Sequence, residues 1–150
     1  HRLSRADALM IKDSEVLAGA RPEEIELDSL RRLVSEIDME RDVAFTVVEV
    51  RTVEQAVVTA SIWDSRQRER GGRERVVLLL DNMGPEKAKE ATIALESRGL
   101  RSCCVLEGSG GVSLDSLREW SNSGVDLVSS SLLNRGVPPL DMSMKFEGGS

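Results

Sequence analysis

Apolar residues along this chain follow two alternating rhythms: short unbroken runs, and longer stretches where they recur every three or four positions. ALMIK (8–12) is a short run and predicts a strand. ELDSLRRLVSEI (26–37) places Leu27, Leu30, Val34 and Ile37 on one helical face. VAFTVVEV (43–50) is rich in β-branched residues and predicts a buried strand. VEQAVVTASIW (53–63) returns to helical spacing through Val53, Ala56, Val57 and Ala60. VVLLLD (76–81) predicts another continuous apolar strand, and the helix after it is punctuated by Gly84, Pro85 and Glu86 at its start and Gly99 at its end. SCCVL (102–106) predicts a strand, Ser113 a cap for a helix running through LDSLREW to Gly124, and VDLVSS (125–130) a fifth strand.

Strands that are apolar throughout and separated by helices predict parallel βαβ units covered on both faces. Two architectures fit: an open doubly wound sheet, or part of a (β/α)₈ barrel. Both place ligand chemistry at the carboxyl ends of the strands. The residues closing these strands are polar in succession: Lys12-Asp13, Glu49, Asp81-Asn82, Glu107 with Ser109-Gly110-Gly111, and Ser129-Ser130-Ser131. A charge ending one strand need only be reaching water, but five polar ends with both signs of charge and a glycine loop predict a site. The Ser-Gly-Gly turn between a strand and a helix predicts an anion site, served by backbone N–H groups and the positive helix end.

Composition narrows the classes. The 150 residues suffice for one domain with a core. A net charge of −6 argues against a general nucleic-acid binder. No apolar run reaches the roughly 20 residues of a membrane span, and no basic leader precedes an apolar stretch and a cleavage site. The sequence opens on His1-Arg2, as a processed product or fragment would. His1 is the only histidine, so neither a zinc set nor a Ser-His-Asp arrangement is available. Cys103 and Cys104, adjacent in a predicted strand and so pointing to opposite faces, are expected to be reduced thiols of a cytoplasmic protein.

Several segments carry a family resemblance in register. HRLSRADALMIKD, VVEVRTVEQAV, VLLLDNMGPEKAKEA and LEGSGGVSLDSLREWSNSGVDLVSSSLLNRGVPPLDMSMKF resemble, in order, segments of quinolinate phosphoribosyltransferase, also called carboxylating nicotinate-nucleotide pyrophosphorylase. The resemblance implies a glycosyltransferase of NAD biosynthesis. It would transfer a ribosyl 5-phosphate from phosphoribosyl pyrophosphate to quinolinate, releasing pyrophosphate and carbon dioxide to give nicotinate mononucleotide. It implies Mg²⁺ as cofactor, with Glu49 and Asp81 as the catalytic carboxylates and metal ligands. His1, Arg2 and Lys12 would serve the quinolinate carboxylates, and Ser109, Gly110, Gly111, Ser131 and Arg135 the phosphate.

The implied fold is α/β: a partial (β/α) barrel of about five parallel strands over residues 1–139, with a strand-like tail at 140–150. The family's N-terminal domain and early barrel strands are absent from these 150 residues. The implied partners are therefore quinolinate and phosphoribosyl pyrophosphate, and a second copy or a complementing N-terminal chain, with no nucleic acid and no membrane. The alternative is a non-catalytic or diverged fragment that binds phosphorylated ligands. Departures from the family pattern fall at Ser14-Glu15, usually Asn-His; Arg51, usually acidic; Ser131, usually Gly; and Arg135, usually His. RQRERGGRER (66–75) is expected to be a solvated, mobile insertion.

Overall fold

A computed structural model describes residues 8–21, 23–39 and 44–134. The elements run β1 (Ala8–Ile11), α1 (Asp13–Ala18), α2 (Glu26–Glu36), β2 (Phe45–Val50), α3 (Val53–Arg70), β3 (Val76–Asp81), α4 (Gly84–Ser97), a 3₁₀ turn (Arg101–Cys103), β4 (Cys104–Ser109), α5 (Leu117–Ser121), β5 (Leu127–Val128) and a second 3₁₀ turn (Ser131–Asn134).

The five strands form one sheet in the order β1-β2-β3-β4-β5, every pair parallel. That order decides between the two architectures. A doubly wound sheet reverses direction at a switch point, whereas barrel strands follow one another around the sheet. The helices agree: α1 packs on α2, α2 on α3, α3 on α4 and α4 on α5, a single layer on one face. Under it lies the core, in which Val48, Val50, Val76, Leu78, Leu80, Cys104 and Leu106 from the sheet meet Ala56, Ala60, Trp63, Ala88, Ala91 and Leu95 from α3 and α4. Alanines at these helix positions let the helices approach the sheet closely. Gly108 does the same from the sheet side, since a Cβ there would run into the Trp120 ring.

The opposite face is an open trough of about 520 Å³, lined by Met10, Phe45, Val47, Val77, Leu79 and Leu127 with Glu107, Ser109 and Ser129. In a closed barrel this face is the packed interior.

Several expectations need correction. The charged stretch 66–75 is not a loose insertion: α3 continues through Arg70 and closes on Gly71 (φ +71°), with Gly72 N–H donating to Gln67 O (2.9 Å). Its arginines reach across to α2. Arg66 donates to Val34 O (2.9 Å) and Ile37 O (2.6 Å), and Arg70 donates to Met39 O (2.7 Å). These carbonyls belong to the end of α2 and the residues just after it, where no intrahelical donor is available. The short α1 has no counterpart among the elements expected from sequence. The helix expected from Ser113 begins only at Leu117. Ser113 Oγ does accept the Ser116 N–H (3.3 Å), but in a turn ahead of the helix. Strand β4 starts at Cys104, because residues 101–103 form a 3₁₀ turn, and it runs on to Ser109. The two thiols therefore do not point to opposite faces; their sulfurs lie 3.6 Å apart, within S–H···S hydrogen-bond reach and without a disulfide.

Candidate functional site at the carboxyl ends of the strands

Strand alternation and register place the site. Leu79 pairs with Glu49 on one side and Glu107 on the other, and Glu107 pairs with Leu127. Paired residues in a parallel sheet share a face, so Glu49, Leu79, Glu107 and Leu127 form one row across the trough. Ile11 pairs with Val48, so Lys12 stands beside Glu49 at the end of that row. Two residues further along the strands, Asp81 pairs with Ser109 in a second row on the same face. Glu49 and Asp81 thus belong to adjacent strands and to one mouth.

Their electrostatics agree. Partial burial, then the charge of Asp81, push the Glu49 carboxyl above its ordinary range; Glu15 adds to the rise and Lys12 works against it. Asp81 Oδ2 accepts from Asn82 Nδ2 (2.9 Å) and lies 4.0 Å from Arg51 Nε. The Arg51 guanidinium is also ion-paired with Asp13, at the start of α1. Lys12 is exposed, and its N–H donates to Glu15 Oε2 (2.8 Å). Glu15, one of the departures in sequence, therefore caps the turn that carries Lys12.

Beyond β4 the chain leaves the sheet through two left-handed glycines, Gly110 (φ +84°) and Gly111 (φ +63°). Val112 is buried and anchors the far side of the turn. Ser130 Oγ donates to Val112 O (2.8 Å), which ties the end of β5 to this loop, and Ser131 follows, exposed, at the start of the 3₁₀ turn. The loops after β4 and β5 are thus stitched side by side. The helix dipole expected behind the glycines contributes little: α5 has five residues and begins well after Gly111, and such a field fades within the first turn.

Of the residues singled out in sequence, the structure brings together Lys12, Glu49, Asp81, Ser109, Gly110, Gly111 and Ser131 at one end of the sheet. His1, Arg2 and Arg135 lie outside the described residues. Three further residues join the mouth. Glu107 extends the row of Glu49 and is hydrogen-bonded by the Ser129 hydroxyl. Asn82 (φ +52°) links Asp81 to the glycine loop, its N–H donating to Ser109 O (3.0 Å). All three stand in sequence as polar strand ends; the signal separating them from ordinary solvated ends is the period-2 alternation that puts Glu107 in phase with Ser109.

Chemically, the mouth offers hard oxygen donors beside fixed cations and a glycine turn. Among the described residues no three His, Cys, Asp or Glu side chains gather into a metal-binding group. A divalent ion at Glu49 and Asp81 would therefore need further ligands from a phosphorylated substrate, the usual arrangement for Mg²⁺. Among the described residues no helix is long and apolar enough to cross a membrane.

Comparison with known proteins identifies the family of the chain. The family described as quinolinate phosphoribosyl transferase, C-terminal domain, matches residues 1–145. A probable carboxylating nicotinate-nucleotide pyrophosphorylase of Methanothermobacter thermautotrophicus is 30% identical over 148 residues, covering 99% of this chain and 47% of the relative. The human carboxylating nicotinate-nucleotide pyrophosphorylase is 26% identical over 146 residues, covering 97% of this chain and 42% of the relative. Among solved structures, a NadC deletion mutant superposes with a TM-score of 0.65 at 24% identity, covering 97% of this chain and 44% of that one. The chain thus spans less than half the length of these relatives. It belongs to the quinolinate phosphoribosyltransferase family and corresponds to that family's C-terminal domain.

Proposed function

We propose that this chain carries the C-terminal catalytic portion of a phosphoribosyltransferase that joins the ribosyl 5-phosphate of phosphoribosyl pyrophosphate to quinolinate. The pyridine nitrogen forms the new bond to ribose C1 as the C1–O bond to pyrophosphate breaks and the electron pair leaves with pyrophosphate. The carboxylate next to the nitrogen then departs as carbon dioxide, and the ring carbon takes up a proton, giving nicotinate mononucleotide.

The observation that carries this reading is the shared face of Glu49, Asp81 and Ser109 at the ends of three consecutive strands. Glu49 and Asp81 would face the ribose hydroxyls and hold Mg²⁺ that arrives with the donor; when bound, the ion neutralises charge building on the departing pyrophosphate. The two carboxylates also oppose positive charge developing on the ribose, an electrostatic stabilisation already in place before the bond breaks. Ser109, Gly110, Gly111 and Ser131, joined by Arg135 on the family resemblance, would hold the 5-phosphate. Lys12, with His1 and Arg2, would hold the quinolinate carboxylates, for which Arg supplies a bidentate fork.

A second reading has its own support in the open trough. Five strands of a barrel bind phosphorylated ligands without turnover until further strands, from a longer polypeptide or a second chain, complete the enclosure. The free thiols of Cys103 and Cys104 fit a cytoplasmic setting. One assay separates the two: carbon dioxide release from carboxyl-labelled quinolinate, by the 150-residue chain alone and by a polypeptide extended with the family's preceding region. Product only from the extended polypeptide favours the second reading for the isolated chain. Product from neither, together with no donor binding, sinks the assignment of activity.

A further inference from the structure

We infer that Arg51 is the resident cation of this mouth: it competes with a divalent ion for Asp81 and itself binds the diphosphate of the donor. Donor binding by this chain then depends less on magnesium than a bare carboxylate pair would require. The inference rests on the donor-site reading above.

Arg51 follows β2 directly and is held at both ends. Its N–H donates to Gln55 Oε1 (2.7 Å), and Gln55, buried, donates in turn to Glu26 Oε1 (2.8 Å). The backbone carrying the guanidinium is therefore fixed by α3 and α2. The guanidinium then spans three strand ends, paired with Asp13 after β1 and 4.0 Å from Asp81 at the end of β3.

Charge balance gives this contact its consequence. Asp13, Glu15, Glu49 and Asp81 place four carboxylates around the mouth, and among the described residues Lys12 and Arg51 are the cations that interact with Glu49 and Asp81. A magnesium ion demands near-ideal octahedral geometry and gives up its water reluctantly. To take Asp81 it must compete with a guanidinium that has no such dehydration barrier. The Arg51 side chain is 44% exposed, so its fork still reaches solvent. Five N–H donors in a fixed plane match phosphate oxygens two at a time, which an ammonium cannot do. An incoming diphosphate thus meets a cation already seated between the carboxylates.

The test uses the 150-residue chain, with Mn²⁺ followed by water-proton relaxation and pyrophosphate followed by calorimetry in EDTA and in Mg²⁺. Wild type should bind pyrophosphate in EDTA. Arg51→Gln should lose about tenfold in that affinity and gain about tenfold for Mn²⁺, close to the bulk-water limit for one unit charge near 4 Å, because the Arg51 side chain is well exposed to solvent. Arg51→Lys keeps the charge and loses the fork, so it should hold Mn²⁺ as wild type does and lose about threefold for pyrophosphate. It also decides the matter if the glutamine variant fails to fold. Unchanged pyrophosphate affinity in the variants overturns the inference, even if Mn²⁺ affinity moves, because Arg51 is then only a counter-ion. Wild type that binds pyrophosphate in neither condition overturns the donor-site reading, and the inference with it.

Discussion

Asn82 occupies the space beside Gly110 so completely that a Cβ on Gly110 would overlap Asn82 Oδ1 and come within 2.7 Å of Asn82 Cγ. The same Asn82 donates to Asp81 and, through its N–H, to Ser109 O. One residue therefore couples a proposed metal-facing carboxylate to the proposed phosphate loop. Gly110→Ala meets two obstacles: this overlap, and a left-handed backbone (φ +84°) that costs an L-residue roughly 1–2 kcal/mol. Phosphoribosyl pyrophosphate affinity should fall at least about tenfold, with the fold retained. Asn82→Gly removes the overlap, so the two substitutions should be non-additive, the double variant binding better than the sum of the single losses allows. Strict additivity in a calorimetric double-mutant cycle would show that the two residues do not communicate.

The raised proton affinity of Glu49 makes a signed prediction. Burial and Asp81 hold its proton more tightly in the folded chain than in the unfolded one. Its contribution favours folding below the ordinary value of 4.5 and is lost as pH rises through the higher folded value. Glu49→Gln cannot ionise. Relative to wild type it should gain stability at about pH 7 and lose that advantage at about pH 4, read as urea midpoints. An equal gap at both pH values would mean that Glu49 is not strained by its ionisation. The same variant should bind the magnesium donor complex worse, so stability and binding move in opposite directions.

Strand identity and the polar strand ends are legible in sequence because an unbroken apolar run as short as VVLLLD fits a strand buried on both faces and is too brief for a helix of ordinary length. The site rows are only half legible. Alternation can put Glu107 in phase with Ser109, but the register that sets Glu49 beside Leu79 and Asp81 beside Ser109 is tertiary information. In the stretch 66–75, charge density alone suggests solvation. Arginine stems and forks can instead reach a neighbouring helix end, and nothing local in RQRER announces that α2 ends within range. Likewise Cys103 reads as strand because its apolar neighbours are strand residues; the 3₁₀ turn closed by Cys103 N–H donating to Leu100 O (3.2 Å) interrupts the run.

The arginine bridge to α2 gives a prediction of its own. Arg66 makes two charge-assisted bonds to carbonyls at the end of α2 and is partly buried. Arg66→Ala should destabilise the chain by roughly 1.5–3 kcal/mol, the range for hydrogen bonds to a charged group. Arg68 pairs with Asp64 one turn away with its side chain 76% exposed, and Arg68→Ala should leave the denaturation midpoint nearly unmoved. If the two variants unfold alike, the charged stretch is a solvated surface after all.

The trough predicts association of the 150-residue chain. Met10, Phe45, Val47, Val77, Leu79 and Leu127 line it, an apolar face that a closed barrel would bury. At its β5 side Leu127 and Val128 are 55% and 39% exposed. That strand is two residues long, pairs only with β4 among the described strands, and is short enough to offer few free backbone groups. Edge pairing is therefore weaker here than burial of the apolar face, although β1, which ends the described sheet on the other side, is four residues long. Face burial should dominate, and patches of this kind drive soluble chains together. Sedimentation velocity should show a concentration-dependent dimer or larger species. Leu127→Lys, which places a charge on the trough wall, should shift it toward monomer without changing the helical content seen by circular dichroism. A charge at an edge position that misses the trough, Val128→Lys, should do less, because Val128 pairs with Gly108 and so lies on the helix-covered side. Equal dissociation by both variants would assign association to the β5 edge, and a wild-type monomer at all concentrations would mean that the apolar trough does not drive association.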